Sequence, residues 1–194
     1  VSKQFLIQDS ASAEEMLKRD IVNAISDKLE ATILGSAAGS ATMPAGIFNG
    51  VTPETKDITY KRLVDMETAL EEANVAGNKC FIVSPSAKGI LKTTAKDALY
   101  NVTDGGVHTC VGCAGCLMEE NEVNGYPVYC TSNVTSKGVV MGHFEDFVIG
   151  QWGGIDLTVD PYTQAANGKV RLVINAYFDA KPRRTGSFQK AILK

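Results

Sequence analysis

Three cysteines within seven residues are the feature of this chain that most resembles a reactive centre. The segment His108-Thr109-Cys110-Val111-Gly112-Cys113-Ala114-Gly115-Cys116 has a Cys-x-x-Cys-x-x-Cys spacing. Thiolates spaced this way can wrap an iron–sulfur cluster or a zinc ion, but a closed site needs a fourth ligand. His108, Cys80, Cys130 and His143 are the available donors, and none completes a spacing such as Cys-x-x-x-Cys-Pro. The expectation is that Cys110, Cys113 and Cys116 bind no metal or cofactor and that small residues here fill a tight loop. A small metal or redox protein built on these three cysteines is the alternative from another class.

Other catalytic patterns are weaker. The chain has no Gly-x-Ser-x-Gly elbow and no His-Glu-x-x-His helix. Ser187-Phe188-Gln189-Lys190 matches Ser-x-x-Lys, yet a nucleophile–base pair at that spacing needs a helical turn, and the surrounding pattern is a strand. His143, beside Phe144 in an expected strand, reads as a packed or surface residue. Glu14-Glu15 and Glu71-Glu72 read as solvated helix faces; Glu119-Glu120 and Glu145-Asp146 flank turns. Asn101-Val102-Thr103 and Asn133-Val134-Thr135 match glycosylation acceptors, which carry meaning only in a secreted protein. The small-residue stretch from Gly35 to Gly46 has no lysine and so lacks the pattern of a phosphate loop. No catalytic residue is expected.

The elements that would position these residues begin with a long helix. Ser12-Ala13-Glu14-Glu15 has the form of a capping box. Leu17, Ile21, Ile25, Leu29 and Ile33 step by four along one face, and Gly35 is the expected stop. Residues 36–45 read as a mobile loop or domain crossing. A second helix is expected after Asp57 or Thr59, with Leu63, Met66, Leu70 and Ala73 on one face and Gly77-Asn78 closing it. Lys79–Val83 then reads as a buried strand, and Ser84-Pro85 opens a third helix with Ile90, Leu91, Ala95 and Leu99 on its buried side. Strands follow at Tyr126–Cys130, Gly138–Phe144 and Phe147–Gln151. Asp156–Tyr162 and Lys169–Ala180 read as the arms of a hairpin, and Ser187–Leu193 as a last strand.

This order is α+β and lacks the regular alternation of a doubly wound sheet. The first helix and the hairpin flank everything else, so they are expected to pack together as one domain, 1–45 with 156–194, around an inserted mixed domain, 46–155. Net charge is −3 and no Lys/Arg run extends past Lys181, Arg183 and Arg184, so no basic stripe for nucleic acid is visible. No stretch approaches the roughly 20 apolar residues of a membrane span. Five cysteines without a secreted disulfide spacing favour synthesis in a reducing cytosol. The start at Val1, without Met, reads as a processed product or a trimmed one.

Phe81-Ile82-Val83-Ser84-Pro85, then Ile90-Leu91-Lys92 and Asp97–Tyr100, resembles the strand–Asn/Ser-Pro–helix segment of tailed-bacteriophage major capsid proteins. Gly125-Tyr126-Pro127-Val128 is similar to that family's Gly-x-Pro-Val strand. Gly142-His143-Phe144-Glu145-Asp146-Phe147 and the hairpin Ile155–Ala180 follow in the family's order. The resemblance covers roughly residues 13–192 and implies the Hong Kong 97-type capsid fold, also used by encapsulin compartments. In those terms the first helix resembles the spine helix of a peripheral domain and residues 46–155 an axial domain. The implied function is a non-enzymatic shell subunit in the C-terminal part of a phage or prophage capsid protein, made in the bacterial host cytoplasm and resident in the virion. It would associate with copies of itself in pentamers and hexamers, with portal and scaffolding proteins as further partners and only weak non-specific contact with packaged DNA. An encapsulin-like compartment shell is the alternative. The arm and extended loop that precede the spine helix in the family are not recognisable here, and the cysteine cluster has no place in its pattern.

Overall fold

A computed structural model of the chain describes residues 2, 10–96 and 115–194. The described chain falls into two compact units, each built from discontinuous segments. The smaller joins Val1–Ala31 to Ile149–Ala180, and the larger joins Thr32–Val148 to Lys181–Lys194.

The larger unit is organised on a five-stranded sheet. Its strands are β1 (Cys80–Val83), β2 (Glu122–Val123), β3 (Tyr126–Cys130), β4 (Gly138–Gly142) and β7 (Phe188–Ile192), in the order β2-β3-β1-β4-β7. β1 runs parallel to β3, with Phe81 opposite Val128, and antiparallel to β4, with Phe81 opposite Met141. β4 and β7 are antiparallel, Val140 opposite Lys190. Helix α2 (Tyr60–Glu72) begins where Thr59 caps the backbone N–H of Arg62, and helix α3 (Pro85–Thr93) where Ser84 caps that of Ala87. Proline at the first position of α3 sacrifices only an N–H that would have had no helical partner.

Side chains at helical spacing on α2 (Leu63, Met66, Leu70) and α3 (Ala87, Leu91) bury against Phe81, Val83, Val139 and Met141. Phe81 is fully buried and meets Tyr126 edge-on with ring centroids 6.4 Å apart. All five residues of β4 are buried, as expected of a strand covered on both faces. Phe48 belongs to the second cover: a Cβ built on Gly138 would lie 3.0 Å from its ring. This layer is tied by backbone bonds from Ile47 N–H to Ile33 C=O (2.7 Å), Phe48 N–H to Gly35 C=O (3.0 Å) and Thr135 N–H to Leu34 C=O (3.2 Å).

By compactness, 32–45 and 181–194 group with the sheet, since the chain after Ile33 covers β4 and β7 pairs with it. Residues 149–155, assigned to the inserted domain, group with the hairpin. The small-residue stretch closes on itself through a Ser40–Met43 bridge and a 3.0 Å bond from Gly46 N–H to Ala37 C=O.

In the smaller unit, α1 (Ser10–Ile33) supplies its residues up to Ala31. Ser12 is already helical and so is not the cap; Ala11 and Ala13 favour continuation of the helix to Ser10. Leu17, Ile21, Ile25 and Leu29 are half-buried among exposed neighbours, which gives the four-residue stripe a single inward face. The rest of the unit is a two-stranded ribbon of β5 (Phe147–Asp160) and β6 (Arg171–Pro182). β5 is one 14-residue strand where two were expected. Gly153, at φ +72°, interrupts its alternation without ending it.

Candidate association surface

The cysteines do not form a centre among the described residues. Cys110, Cys113 and His108 lie outside them. Cys116 is half-buried, in a bridge that pairs it with Ala95. Cys80 opens β1, while Cys130, exposed, ends the adjacent β3 opposite Val83. Three register steps, about 10 Å at ~3.3 Å per residue, separate the two along the ladder. Burial pushes the Cys80 thiol up, which suits an inert core cysteine better than a nucleophile. No group of three His, Cys, Asp or Glu among the described residues could hold a metal.

The remaining polar candidates are committed to structure. The buried Ser187 hydroxyl donates to the Asp146 carboxylate (2.5 Å), and Lys190 Nζ donates to the Ile47 carbonyl (2.7 Å), so the Ser-x-x-Lys pair is split between separate partners. His143 follows β4, which ends at Gly142, two residues short of the expected strand end, and leads into a 3₁₀ turn at Phe144–Asp146. Its Nδ1 lies 2.9 Å from the Asn78 carbonyl and its Nε2 lies 3.6 Å from Glu145. A Cβ on Gly77 would stand 2.5 Å from the His143 ring, so the imidazole fills the space a side chain would need. Tyr126 donates to Glu67 at 2.9 Å; burial, then the Glu67 bond and charge, raise its phenol. These groups brace the sheet and its helices, and each has a fixed partner.

The hairpin differs from the sheet unit in what it leaves in water. Among the described residues of the smaller unit, Ala180 is the only buried hydrophobic. On β6, Leu172, Ile174, Ala176 and Phe178 form a half-buried face, while Tyr177 on the other side is 67% exposed. Ile155, Leu157 and Val159 share one face of β5 by the two-residue period and are about half exposed. Trp152 is 60% exposed, its ring lying over Gly150, where a Cβ would come within 2.9 Å. Isolated exposed apolar residues are ordinary, whereas a contiguous apolar ribbon marks a contact surface. The sequence placed a hairpin arm at Lys169–Ala180; the exposure of β5 was missed, since a strand exposed on both faces carries no alternation signal.

Charge adds no rival site. Exposed pairs such as Lys61–Asp65 (2.8 Å) and Arg62–Glu54 (3.0 Å) are local to the α2 region and contribute little. No helix among the described residues is long and apolar enough to cross a membrane.

Comparison with known proteins bears directly on this surface. A family model described as the phage capsid family matches residues 1–191. A curated major capsid protein of Halomonas phage phiHAP-1 is 26% identical over 197 residues, covering 98% of this chain. The chain spans 30% of that relative's length. Among solved structures, the capsid of an empty GTA particle superposes with a TM-score of 0.66 at 18% identity, covering all of this chain and 69% of its own. A structure from Gordonia phage Cozz gives a TM-score of 0.62 at 17% identity, with coverages of 100% and 67%. The fold is thus the mixed helix-and-sheet Hong Kong 97-type capsid fold, and the chain belongs to the phage capsid family.

Proposed function

We propose that this chain is a structural subunit of a phage capsid shell, with association between copies as its activity and no catalytic step. The observation that carries this reading is the ribbon of the smaller unit, where Ala180 is the only buried hydrophobic among the described residues and Trp152, Ile155, Leu157, Val159 and Tyr177 are exposed. Shell contacts are flat and repeated, and stable ones bury roughly 1,200–2,000 Å². A long two-faced ribbon suits that geometry better than a concave pocket does. The smaller unit corresponds in this reading to the peripheral domain and the larger to the axial domain, giving pentamers and hexamers around a genome. Portal and scaffolding proteins would be further partners, with DNA touched only weakly.

Electron microscopy of the full-length product, expressed alone, tests the reading. Closed shells or capsomer rings are expected, and a protein that stays monomeric at high concentration would overturn it. Particles filled with protein cargo in place of DNA would transfer the subunit to the encapsulin-like alternative, which shares the fold. The curated phage relative favours the capsid.

A further inference from the structure

The tip of the β5–β6 hairpin carries an open cavity of about 440 Å³ lined by Gln164, Lys169, Val170, Arg171 and Leu172. Its polar side chains present hydrogen-bond donors. Asn167 Nδ2 donates to Gln164 Oε1 at 3.0 Å, which leaves the Gln164 amide nitrogen to face outward bonds. Lys169 and Arg171 bring an ammonium and a guanidinium, and neither forms an ion pair among the described residues.

The nearby Asp160 carboxylate feels the Arg171 charge but forms no ion pair with Arg171 or Lys169 among the described residues. Asp160 accepts from Tyr162 N–H (2.9 Å), Thr163 N–H (3.1 Å) and the Thr163 hydroxyl, so it is turned into its own loop. Asp160 is therefore the loop's internal staple. The loop is further closed by bonds from Lys169 N–H to Gln164 C=O (3.2 Å) and Gly168 N–H to Ala165 C=O (3.0 Å). A tied loop that carries an ammonium and a guanidinium without an ion pair among the described residues is organised for an anion.

We infer that the hairpin tip receives a carboxylate side chain from a second copy of this chain. The inference rests on the shell reading and adds the chemistry by which one copy recognises another. The chain as a whole is acidic, at −3, and exposed acids such as Glu72 and Glu120 form no ion pair among the described residues. Cations on one surface and spare carboxylates on another make a head-to-tail contact, the kind that closes rings and shells. Two cations on one loop fall short of the stripe that a phosphate backbone requires, so nucleic acid is the weaker occupant. One exposed pair contributes little by itself; repetition through a shell makes it count.

The test compares full-length wild type with Lys169→Gln/Arg171→Gln. Both side chains are exposed, so circular dichroism and unfolding midpoints should match wild type. The variant should assemble about tenfold more slowly, and its rate should lose the salt dependence that wild type shows. Lys169→Arg with Arg171→Lys should restore both. Equal rates and equal salt dependence in wild type and the Gln variant would overturn the inference while leaving the shell reading intact. A wild type that forms no particles would overturn both. Loss of binding to a short single-stranded DNA, with assembly unchanged, would also overturn it and assign the tip to phosphate.

Discussion

The Ser187 hydroxyl and the Asp146 carboxylate meet at 2.5 Å, Asp146 standing just before β5 and Ser187 between β6 and β7. The Arg183 N–H reaches the Asp146 carbonyl (2.8 Å), and the Phe144 and Phe147 rings both meet Phe188 edge-on at 5.3 and 5.9 Å. Within the larger unit, these contacts tie the segment before β5 to the segment after β6. Ser187→Ala leaves a carboxylate without its buried donor, and should cost about 1–3 kcal/mol in urea unfolding. An unchanged midpoint would remove Ser187 from this role.

Phe81 stands where β1, β3 and β4 meet and is fully buried. Phe81→Ala should cost roughly 3–5 kcal/mol, and Phe81→Leu distinctly less, because the cavity it leaves is smaller. Thermal unfolding of the pair checks the ranking.

Gly77 carries φ +98°, and a Cβ there would meet the His143 ring at 2.5 Å. Gly77→Ala should therefore destabilise by more than the roughly 1 kcal/mol of an ordinary glycine replacement at positive φ, since strain and clash add. The double variant Gly77→Ala/His143→Ala relieves the clash and should recover part of the loss.

The hydroxyl and N–H of Thr163, then the N–H of Tyr162, hold the Asp160 carboxyl below its ordinary value. A depressed folded-state pKa means that the tie is present above the unfolded value, about 3.9, and is lost as pH falls through the folded one. Amide signals of Tyr162 and Thr163 should shift below about pH 4, and Asp160→Ala should abolish that titration. A shift centred near neutral pH would contradict the assignment.

Cys130 is exposed, while Cys80 is half-buried with its thiol pushed up by burial. A thiol reagent should modify Cys130 before Cys80 in the native protein, as followed by mass spectrometry of peptides. Replacement of Cys110, Cys113 and Cys116 by serine should leave solubility and the unfolding midpoint unchanged. One metal per chain in the wild type would reverse that expectation.

Elements whose signals are local were legible in the sequence. Ser84-Pro85 sets the start of α3 through cap chemistry and a fixed φ, and Tyr126–Cys130 emerges with the expected bounds. Non-local pairings were not legible: nothing within Phe188–Ile192 announces that it pairs with β4 and not with the hairpin. Phe48 was hidden for a similar reason, as a lone aromatic beyond a small-residue stretch without periodicity, although it is fully buried. The Ser-x-x-Lys pair is divided because Ser187 closes a 3₁₀ turn and bonds Asp146, while Lys190 lies in β7 and bonds the Ile47 carbonyl. The hairpin tip went unread, since its donors converge only after the turn has formed.

The pairing of β7 with β4 spans the whole hairpin, from Gly142 to Phe188. During translation, therefore, the ribbon leaves the ribosome before the β4–β7 pairing that completes the sheet can form. Ala191 and Leu193, both buried, reach the core only after the hairpin has been made. In the proposed reading, a growing chain thus exposes its association surface while the sheet of the larger unit is unfinished, and every nascent copy on a polysome shares that state. Early contact between neighbours would then join incompletely folded subunits. Slow emergence of residues 181–193, or a chaperone that covers the ribbon until they appear, would favour productive shells over aggregates.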